Sequence, residues 1–338
     1  MKQGRVSFEL TSRCNLNCKH CLRDKSLASE LDFTLFKRVL EEIKPYGIKN
    51  LAFTGGEPLI HPEFEKIIEY AVEQGFEISL VTNGLLLREF SQLFSQKKIK
   101  EKISHICVSL EAPDQDTNDQ IRGRGSFKRA LKGILFLRSQ QIPFALKFTI
   151  NSLNYKMLEE MALFAGKLEA REVQLSHLYP TPENLSAGLV LSPALWKRVQ
   201  EEITRLQKLV KIPIIMSAGS WMEDFFPICA HLAMVEFYID SEGWLSVCCI
   251  LPGLAGEKAG KERVADLNQM SFISAHRQLI EVLREFFLKR LERIEKNQPQ
   301  ELDHFQCLAC ALDFDKLSWL KEFPDSEWYQ LWQEALKK

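Results

Sequence analysis

The sequence lacks both the long apolar segments of a membrane protein and the excess positive charge of many nucleic-acid-binding proteins. No apolar run approaches the roughly 20 residues that a helix needs to cross a bilayer. The N-terminal stretch has no apolar core of a secretory signal. The formal net charge is −1 over 338 residues, so composition gives no indication of a nucleic-acid or membrane partner. We therefore expect a cytoplasmic protein, with no nucleic acid and no membrane among its partners.

Internal repeats and low-complexity linkers are also missing, and the residue type that stands out is cysteine, with nine in the chain. Disulfides are rare in the reducing cytosol, so clustered thiols there indicate metal ligation or catalysis. Three cysteines lie within eight residues near the N-terminus: Cys14, Cys18 and Cys21. Five lie late in the chain: Cys229, Cys248, Cys249, Cys307 and Cys310. Cys107 stands alone in an apolar run and is predicted to be a small core residue.

The first half of the sequence alternates short apolar runs with amphipathic segments. The predicted strands are Val6–Leu10, Asn50–Thr54, Ile78–Thr82, His105–Leu110, Phe144–Ile150 and Glu172–Leu178. The predicted helices are Phe33–Lys44, Pro62–Glu73, Arg88–Gln96, Ser126–Gln140 and Lys156–Ala165. This alternation predicts right-handed βαβ units and a parallel sheet. Six units are too few for a closed eight-fold barrel, so we predict an α/β fold with a partial (β/α)6 TIM-like barrel and functional residues at the C-terminal ends of its strands.

The chain divides into four predicted parts. They are the barrel (1–185), a connecting helix and strand at Ala194–Leu209 and Ile212–Met216 (186–219), a smaller α+β domain with the late cysteines (220–312) and a helical tail (313–338). A mixed-charge helix is predicted over Ala275–Asn297, with Leu279, Leu283, Phe287 and Leu291 against the core.

The first three cysteines have a C-x3-C-x2-C spacing directly after the first strand. Three thiolates from one loop can ligate three irons of a four-iron cluster, and they leave the fourth iron open to bind a further molecule. The alternative is a zinc site with His20 as the fourth ligand. The second strand ends in Gly55-Gly56-Glu57-Pro58, where glycines let the backbone approach a ligand and a carboxylate can hold an ammonium group. Taken alone, this second segment could also be an ordinary βα turn.

These two motifs together resemble the radical S-adenosylmethionine (radical SAM) superfamily. The resemblance implies that Cys14, Cys18 and Cys21 ligate a catalytic 4Fe-4S cluster, whose open iron is chelated by the amine and carboxylate of S-adenosyl-L-methionine (SAM). It implies that His20 lies beside the adenine. It also implies that the segment Gly55, Gly56, Glu57 and Pro58 lines the methionine moiety.

The resemblance extends through Val81–Gly84, Val108–Glu111 and Ile121–Phe127. It implies further cofactor-binding residues at later strand ends: Asn83, Ser109, Glu111, Lys147 and Leu178. Ser109 and Glu111 match positions that contact the carboxylate or ribose. Lys147 is expected to reach the cofactor carboxylate or a substrate, and Leu178 the adenine. The alternative for Ser109 and Lys147 is a polar side chain satisfied at the barrel rim.

The late cysteines form two pairs. Cys229 and Cys248 have the spacing C-x13-G-x4-C, and Cys307 and Cys310 have C-x2-C. Four thiolates suffice for one cluster or one zinc ion, and a predicted hairpin of Phe237–Asp240 and Trp244–Cys249 would hold the first pair together. This pattern resembles the C-terminal extensions of the same superfamily called SPASM and, in the shorter form, twitch. A full SPASM domain has further cysteines after the C-x2-C and this chain has none after Cys310, so the resemblance implies one auxiliary 4Fe-4S cluster bound by these four cysteines.

Cys249 is left over in this assignment. Three roles stay open for it: a ligand in place of Cys248, passive packing, or a catalytic role as hydrogen-atom donor to a substrate radical.

The resemblance implies a radical SAM oxidoreductase. An electron from a flavodoxin- or ferredoxin-type donor would drive SAM cleavage, and the 5′-deoxyadenosyl radical would abstract a hydrogen atom from a substrate. The expected substrate is a ribosomal peptide or protein (RiPP maturation). A separate leader-peptide-binding protein is then expected, because the cysteine motif begins at residue 14. The alternative is a small-molecule or cofactor-biosynthesis dehydrogenase. A non-enzymatic iron–sulfur or zinc module is disfavoured, because it would not need the Gly55–Pro58 segment.

Overall fold

The computed structural model describes residues 4–23, 28–217, 219, 221–223, 229–252, 254 and 260–337. The strands in this part of the chain are β1 (Arg5–Thr11), β2 (Asn50–Gly55), β3 (Glu77–Thr82), β4 (Ile103–Ser109), β5 (Phe144–Ile150), β6 (Val173–His177), β7 (Ile214–Met216), β8 (Glu236–Ile239), β9 (Trp244–Ser246) and β10 (Arg263–Asp266). They form one sheet in the order β10-β9-β8-β1-β2-β3-β4-β5-β6-β7.

The longer part of this sheet is parallel. Each strand from β1 to β6 pairs in parallel with the strand that follows it in sequence, as successive βαβ units require. The predicted α/β fold with a partial parallel barrel is thereby confirmed. Strand β7, which the sequence placed in the connecting segment, adds a seventh parallel strand at the edge.

The late hairpin does not form a sheet of its own. Strand β8 pairs in parallel with β1, and β9 and β10 continue antiparallel from it. Strand β1, which leads into the first cysteines, therefore lies inside the sheet between β2 and β8. The predicted division of the chain into four parts stays a prediction.

Helices connect the parallel strands and follow the last strand of the sheet. Those in the described residues are α1 (Phe33–Ile43), α2 (Phe64–Glu73), α3 (Ser91–Ser95), α4 (Lys97–Lys100), α5 (Gln115–Arg122), α6 (Ser126–Ser139), α7 (Leu158–Lys167), α8 (Pro182–Ser186), α9 (Pro193–Leu209), α10 (Phe272–Asn297), α11 (Gln306–Asp313) and α12 (Glu327–Leu336). The predicted helix Arg88–Gln96 is shorter, because Gln96 adopts an extended conformation (ψ 127°) that separates α3 from α4. None of these helices combines the length and the apolar character that a bilayer-spanning segment needs.

The core lies between the sheet and the helices. In β1, Phe8 is fully buried and its ring meets that of Phe36 on α1 at a centroid distance of 5.0 Å. The alternate residues Ser7 and Glu9 point to the other face, which we call the inner face. There Ser7 donates a hydrogen bond to Glu236 at 2.6 Å, and Tyr238 donates one to Glu9. The inner face is therefore polar, as a site for a polar ligand requires.

Helix α10 packs with a different phase from the one predicted. Its buried side chains follow three- and four-residue steps: Phe272, Ala275, Leu279, Leu283, Phe286 and Arg290. Leu279 and Leu283 are buried as predicted, and Phe287 packs partly buried against the core. The prediction that Leu291 packs against the core was wrong, since Leu291 is 50% exposed. Repeated four-residue steps drift around a helix of 3.6 residues per turn, so the buried stripe reaches Arg290 instead.

Candidate functional site

The first three cysteines lie in a loop over residues 12–23, the cysteine loop, at the C-terminal end of β1. Cys18 is buried, Cys21 is half-buried and Cys14 is exposed. The Lys19 amide donates to the Ile121 carbonyl at 3.0 Å, which fixes the loop against the end of α5. The Cys18 Sγ lies 3.9 Å from the Arg122 carbonyl oxygen.

The three thiols lie within electrostatic reach of one another. Burial raises the pKa of Cys18 to about 11, although the Arg122 charge lowers it, and partial desolvation of the sulfur also raises the pKa of Cys14. As free thiols, Cys14 and Cys18 would stay protonated at neutral pH. Their ionisation as ligands requires the positive charge of a metal centre, as iron–sulfur ligation supplies.

Gly55 and Gly56 join β2 to the base of the cysteine loop. The Gly56 amide donates to the Thr11 carbonyl at 2.8 Å, and the Glu57 amide donates to the Arg13 carbonyl at 2.9 Å. A Cβ atom on Gly55 would lie 2.4 Å from the Thr11 oxygen, and one on Gly56 would lie 2.0 Å from the Arg13 oxygen. Only glycine permits this approach, so both glycines position the loop that carries the cysteines.

Glu57 continues this connection to the end of β3. It is fully buried, and its carboxylate accepts hydrogen bonds from Thr82 Oγ1 (2.7 Å) and from the Asn83 amide (2.7 Å). Burial raises the pKa of Glu57 in spite of these bonds. The Asn83 side chain in turn donates to Asn15 in the cysteine loop at 2.7 Å. Pro58 is buried at the start of a short 3₁₀ turn. Hydrogen bonds within the chain therefore join three segments: the end of β2, the end of β3 and the cysteine loop.

Glu111 is the centre of a buried ionic network. It is 1% exposed. One carboxylate oxygen accepts from Arg122 Nη1 at 2.7 Å and lies 3.3 Å from His20 Nε2, and the other accepts from the Thr149 amide at 2.7 Å. Burial alone would raise the pKa of Glu111, but His20, Arg122 and the Thr149 amide lower it to about 2. Glu111 is thus a permanent anion that holds His20 and Arg122 beside the cysteine loop.

Arg122 was missed as a site residue, although the sequence carries it in the Ile121–Phe127 motif. It is 8% exposed, and its charge acts on both Cys14 and Cys18. Among the described residues, neither Arg122 Nε nor His20 Nδ1 has a hydrogen-bond partner, although both atoms are buried. Buried polar atoms are normally paired, so these two, next to three thiols, fit a site that holds a polar cofactor and a cluster.

Ser109 and Lys147 lie side by side on the inner face, in register on β4 and β5, and both are half-buried. No ion pair of Lys147 occurs within the described residues, and its charge reaches Cys249. Leu178 is 1% exposed. Cys107 is buried as predicted, but it faces the inner side and lies 3.3 Å from Gln174 Oε1.

Four late cysteines, Cys229, Cys248, Cys307 and Cys310, come together in a second group, which we call the auxiliary site. Cys307 and Cys310 lie one turn apart on α11, Cys248 follows β9, and Cys229 precedes β8. The thiol of Cys307 is within electrostatic reach of Cys310 and Cys229, and that of Cys248 is within reach of Cys307. Burial raises the pKa of Cys310 to about 12, and it raises the pKa values of Cys307 and Cys248 as well.

Hydrogen-bond donors reach three of these four thiols. The Leu251 amide donates to Cys248 Sγ at 3.5 Å, and Arg290 Nη1 donates to Cys310 Sγ at 3.8 Å. The Tyr179 hydroxyl donates to Cys307. Donors to cysteine sulfur are typical of iron–sulfur sites. Across the described residues, no three His, Cys, Asp or Glu side chains converge as ligands of a single metal ion do.

Cys249 has partners of its own. The residue is exposed, and its thiol shares a hydrogen bond with His231, whose Nδ1 lies 3.1 Å from the Glu236 carbonyl oxygen. Burial raises the pKa of Cys249, but the hydrogen bond and charge of His231 outweigh it and bring the pKa below its usual value. The adjacent thiols of Cys248 and Cys249 therefore differ in environment. No sequence pattern identified His231, which lies two residues after Cys229.

Comparison with known proteins identifies a matching family model and several related proteins. Residues 8–165 match the family model of the Radical SAM superfamily. An AdoMet-dependent heme synthase of Methanosarcina barkeri is 32% identical over 214 residues, 62% of this chain and 60% of that protein. The antilisterial bacteriocin subtilosin biosynthesis protein AlbA of Bacillus subtilis is 31% identical over 169 residues, 49% of this chain and 37% of AlbA. The chain thus spans less than two thirds of either relative.

A solved structure shows the same fold. The structure of anSMEcpe with bound AdoMet superposes with a TM-score of 0.63 at 16% identity, and it covers 98% of this chain and 94% of that one.

Proposed function

We propose, from the premise that this chain contains a radical SAM domain, that the protein is a radical SAM enzyme. The superfamily binds a 4Fe-4S cluster and SAM, which together supply a 5′-deoxyadenosyl radical for hydrogen-atom abstraction. The observation that carries the proposal is the convergence of three elements on the cysteine loop. They are the Gly55–Gly56 end of β2, Asn83 after β3, and the Glu111–Arg122 pair.

The residues of this chain would act by holding and orienting. Cys14, Cys18 and Cys21 would hold the cluster, with the buried Arg122 charge offsetting part of the thiolate charge. His20, fixed through Nε2 by Glu111, would present its other face to the adenine.

The remaining proposed cofactor contacts follow from position. Ser109, which is adjacent to Lys147 on the inner face, would meet the carboxylate or ribose. Lys147 would reach the cofactor carboxylate or a substrate, and Leu178 would pack near the adenine. For Gly55, Gly56, Glu57 and Asn83, the hydrogen bonds support a role in positioning the loop beside the methionine moiety. Pro58 would act with them.

The auxiliary site would hold one further 4Fe-4S cluster, bound by Cys229, Cys248, Cys307 and Cys310 in a twitch-like domain. The mutual reach of the four thiols and the donors around them support this. The different partners of Cys248 and Cys249 favour Cys248 as the ligand. The exposure of Cys249 is compatible with a hydrogen-atom donor to a substrate radical.

A ribosomal peptide or protein remains our proposed substrate, because AlbA acts in bacteriocin biosynthesis and the open edge of a partial barrel can admit a chain. A small molecule is the second candidate. The observation that favours it is the heme synthase match, which is longer, at 214 residues against 169. A porphyrin would then be the substrate class.

An external electron donor of the flavodoxin or ferredoxin type would dock beside the cysteine loop. Lys19 and Arg124 are exposed there, and neither forms an ion pair within the described residues. Their positive charges suit an acidic partner. We also propose a cytoplasmic location and, for a peptide substrate with a leader, a separate leader-binding protein.

Anaerobic reconstitution with iron and sulfide tests the proposal. The wild type should bind iron for two clusters and release 5′-deoxyadenosine with dithionite and SAM. A Cys14/Cys18/Cys21→Ala variant should retain iron for one cluster and release none, while the control Cys107→Ala should behave as wild type. Zinc in place of iron, or equal 5′-deoxyadenosine from wild type and triple variant, would refute the assignment.

The substrate class needs a second experiment. A porphyrin titration followed by visible absorption, beside a precursor peptide from a neighbouring reading frame followed by mass spectrometry, separates the two. A mass change in the peptide that depends on SAM supports peptide modification. A porphyrin product supports the second candidate.

A further inference from the structure

Helix α10 supplies a buried cation to the auxiliary site. Arg290 is 2% exposed, and its Nη1 lies 3.8 Å from Cys310 Sγ. A guanidinium stays charged at any physiological pH, and burying a charge is costly unless it is compensated nearby. An ionised Cys310 would compensate this buried charge, so the cation and a thiolate ligand at this distance would stabilise each other.

The position of Arg290 is fixed from one turn on either side. On one side, Phe286 stacks on Phe314 at 5.4 Å between ring centroids. On the other, Arg293 Nε donates to Asp313 at 2.9 Å and Arg293 Nη2 donates to Asp303 at 2.6 Å, and both carboxylates are buried. These contacts join α10 to α11, the helix that carries Cys307 and Cys310, and they leave Arg290 little freedom to move away.

A second donor reaches the same site from the barrel. Tyr179 follows β6, is 5% exposed, and donates its hydroxyl to Cys307. Gly219 makes room for this contact. A Cβ atom there would lie 1.8 Å from the Tyr179 hydroxyl oxygen and 2.7 Å from Cys307 Sγ. The two residues of the C-x2-C pair thus each receive a side-chain donor, from two different parts of the chain.

We propose that Arg290 and Tyr179 are positioning residues of the auxiliary site that raise the reduction potential of the cluster bound there. This inference rests on the proposed function. Reduction adds negative charge to a cluster whose four thiolates are already negative. A buried cation and a hydrogen-bond donor at two of the sulfurs stabilise the reduced form more than the oxidised one. With all four cysteines as ligands, the site is suited to electron transfer rather than to binding a substrate at an open iron.

The test measures the potential directly. The parent is the Cys14/Cys18/Cys21→Ala variant, so that only the auxiliary cluster contributes to a redox titration followed by electron paramagnetic resonance. Arg290→Gln and Tyr179→Phe should each shift the midpoint to a more negative potential, and Arg290→Lys should shift it less than Arg290→Gln. The control is Arg284→Gln on the same helix. Arg284 is exposed, and its ion pair with Glu281 spans 3.6 Å, so the potential should not change.

The outcomes are separable. A potential in Arg290→Gln equal to that in Arg284→Gln overturns the role of Arg290. Equal shifts in Arg290→Lys and Arg290→Gln assign the effect to packing and overturn the role of its charge. If Arg290→Gln loses iron, the Tyr179→Phe variant decides: a negative shift supports the inference and an unchanged potential overturns it. A parent variant without iron overturns the auxiliary site itself, and with it the proposed second cluster.

Discussion

Replacing Glu111 with glutamine should destabilise the protein more than any surface charge removal. Its pKa falls from an ordinary 4.5 to about 2 in the folded protein. At about 1.4 kcal/mol per pKa unit, that difference corresponds to about 3 kcal/mol of folding free energy. Glutamine cannot compensate Arg122, which stays buried in the same place, and an uncompensated buried charge costs about 3–5 kcal/mol.

The pH dependence provides a second, independent measure. A carboxylate whose folded pKa is lowered stabilises the protein above its unfolded pKa, and this contribution is lost as the pH falls through the folded value. The difference in free energy of unfolding between wild type and Glu111→Gln should therefore have its maximum value near pH 7. It should begin to shrink below about pH 4.5, where the unfolded carboxyl protonates.

Urea unfolding followed by circular dichroism, at pH 7 and at pH 4, measures both effects. Glu101→Gln is the matched control, because Glu101 is exposed and its pair with Lys97 spans 3.8 Å, an arrangement worth about 0–1 kcal/mol. Equal urea midpoints for Glu111→Gln and Glu101→Gln at pH 7 would refute the role assigned to Glu111. A loss of unfolding free energy in Glu111→Gln that stays constant from pH 7 to pH 4 would also refute it.

Three further changes have defined outcomes. Gly56→Ala should displace the cysteine loop, because its Cβ would lie 2.0 Å from the Arg13 oxygen; iron per chain should fall by about half, whereas Gly166→Ala, with nothing within 4 Å, should keep its iron. Arg124→Glu should slow cluster reduction by flavodoxin about tenfold and leave reduction by dithionite unchanged, since a reversed rim charge mainly affects association; equal slowing by both reductants would contradict the docking site. Cys249→Ala should abolish or redirect product formation while 5′-deoxyadenosine is still released, and unchanged product with unchanged stereochemistry would end its role as hydrogen-atom donor.

The barrel strands were predictable because their chemistry is local. Runs such as Phe144–Ile150 are apolar, β-branched and bounded by turn residues, and this strand was predicted with its observed ends. Helix α5 was missed because its local sequence lacks such a pattern. In Gln115–Arg122 only Ile121 is apolar, so no helical period is visible, and the helix begins because the Asp114 side chain caps it.

Contacts between distant segments were not predictable from one sequence. The spacing of the cysteines indicated two groups of thiols. It did not indicate that Arg122 and Arg290 would be buried beside them, because an arginine is usually exposed. Gly55 and Gly56 were predicted to approach a ligand, and the approach that the structure shows is to the backbone of Thr11 and Arg13. The sequence therefore indicated a close approach at these glycines, but it did not indicate that their partner would be the backbone of the cysteine loop.

The pairing of β8 with β1 has a consequence for how the chain is made. The Arg5–Glu236 contact joins residues 231 positions apart, so one edge of the strand that leads into the cysteine loop stays open until the ribosome has added those residues. At 5–20 residues per second this delay is roughly 10 to 50 s. An open strand edge is prone to pair with other chains. We therefore expect nascent chains that stop before β8 to depend on chaperones, and we expect the iron–sulfur assembly machinery to load the cysteine loop only after synthesis has passed that point.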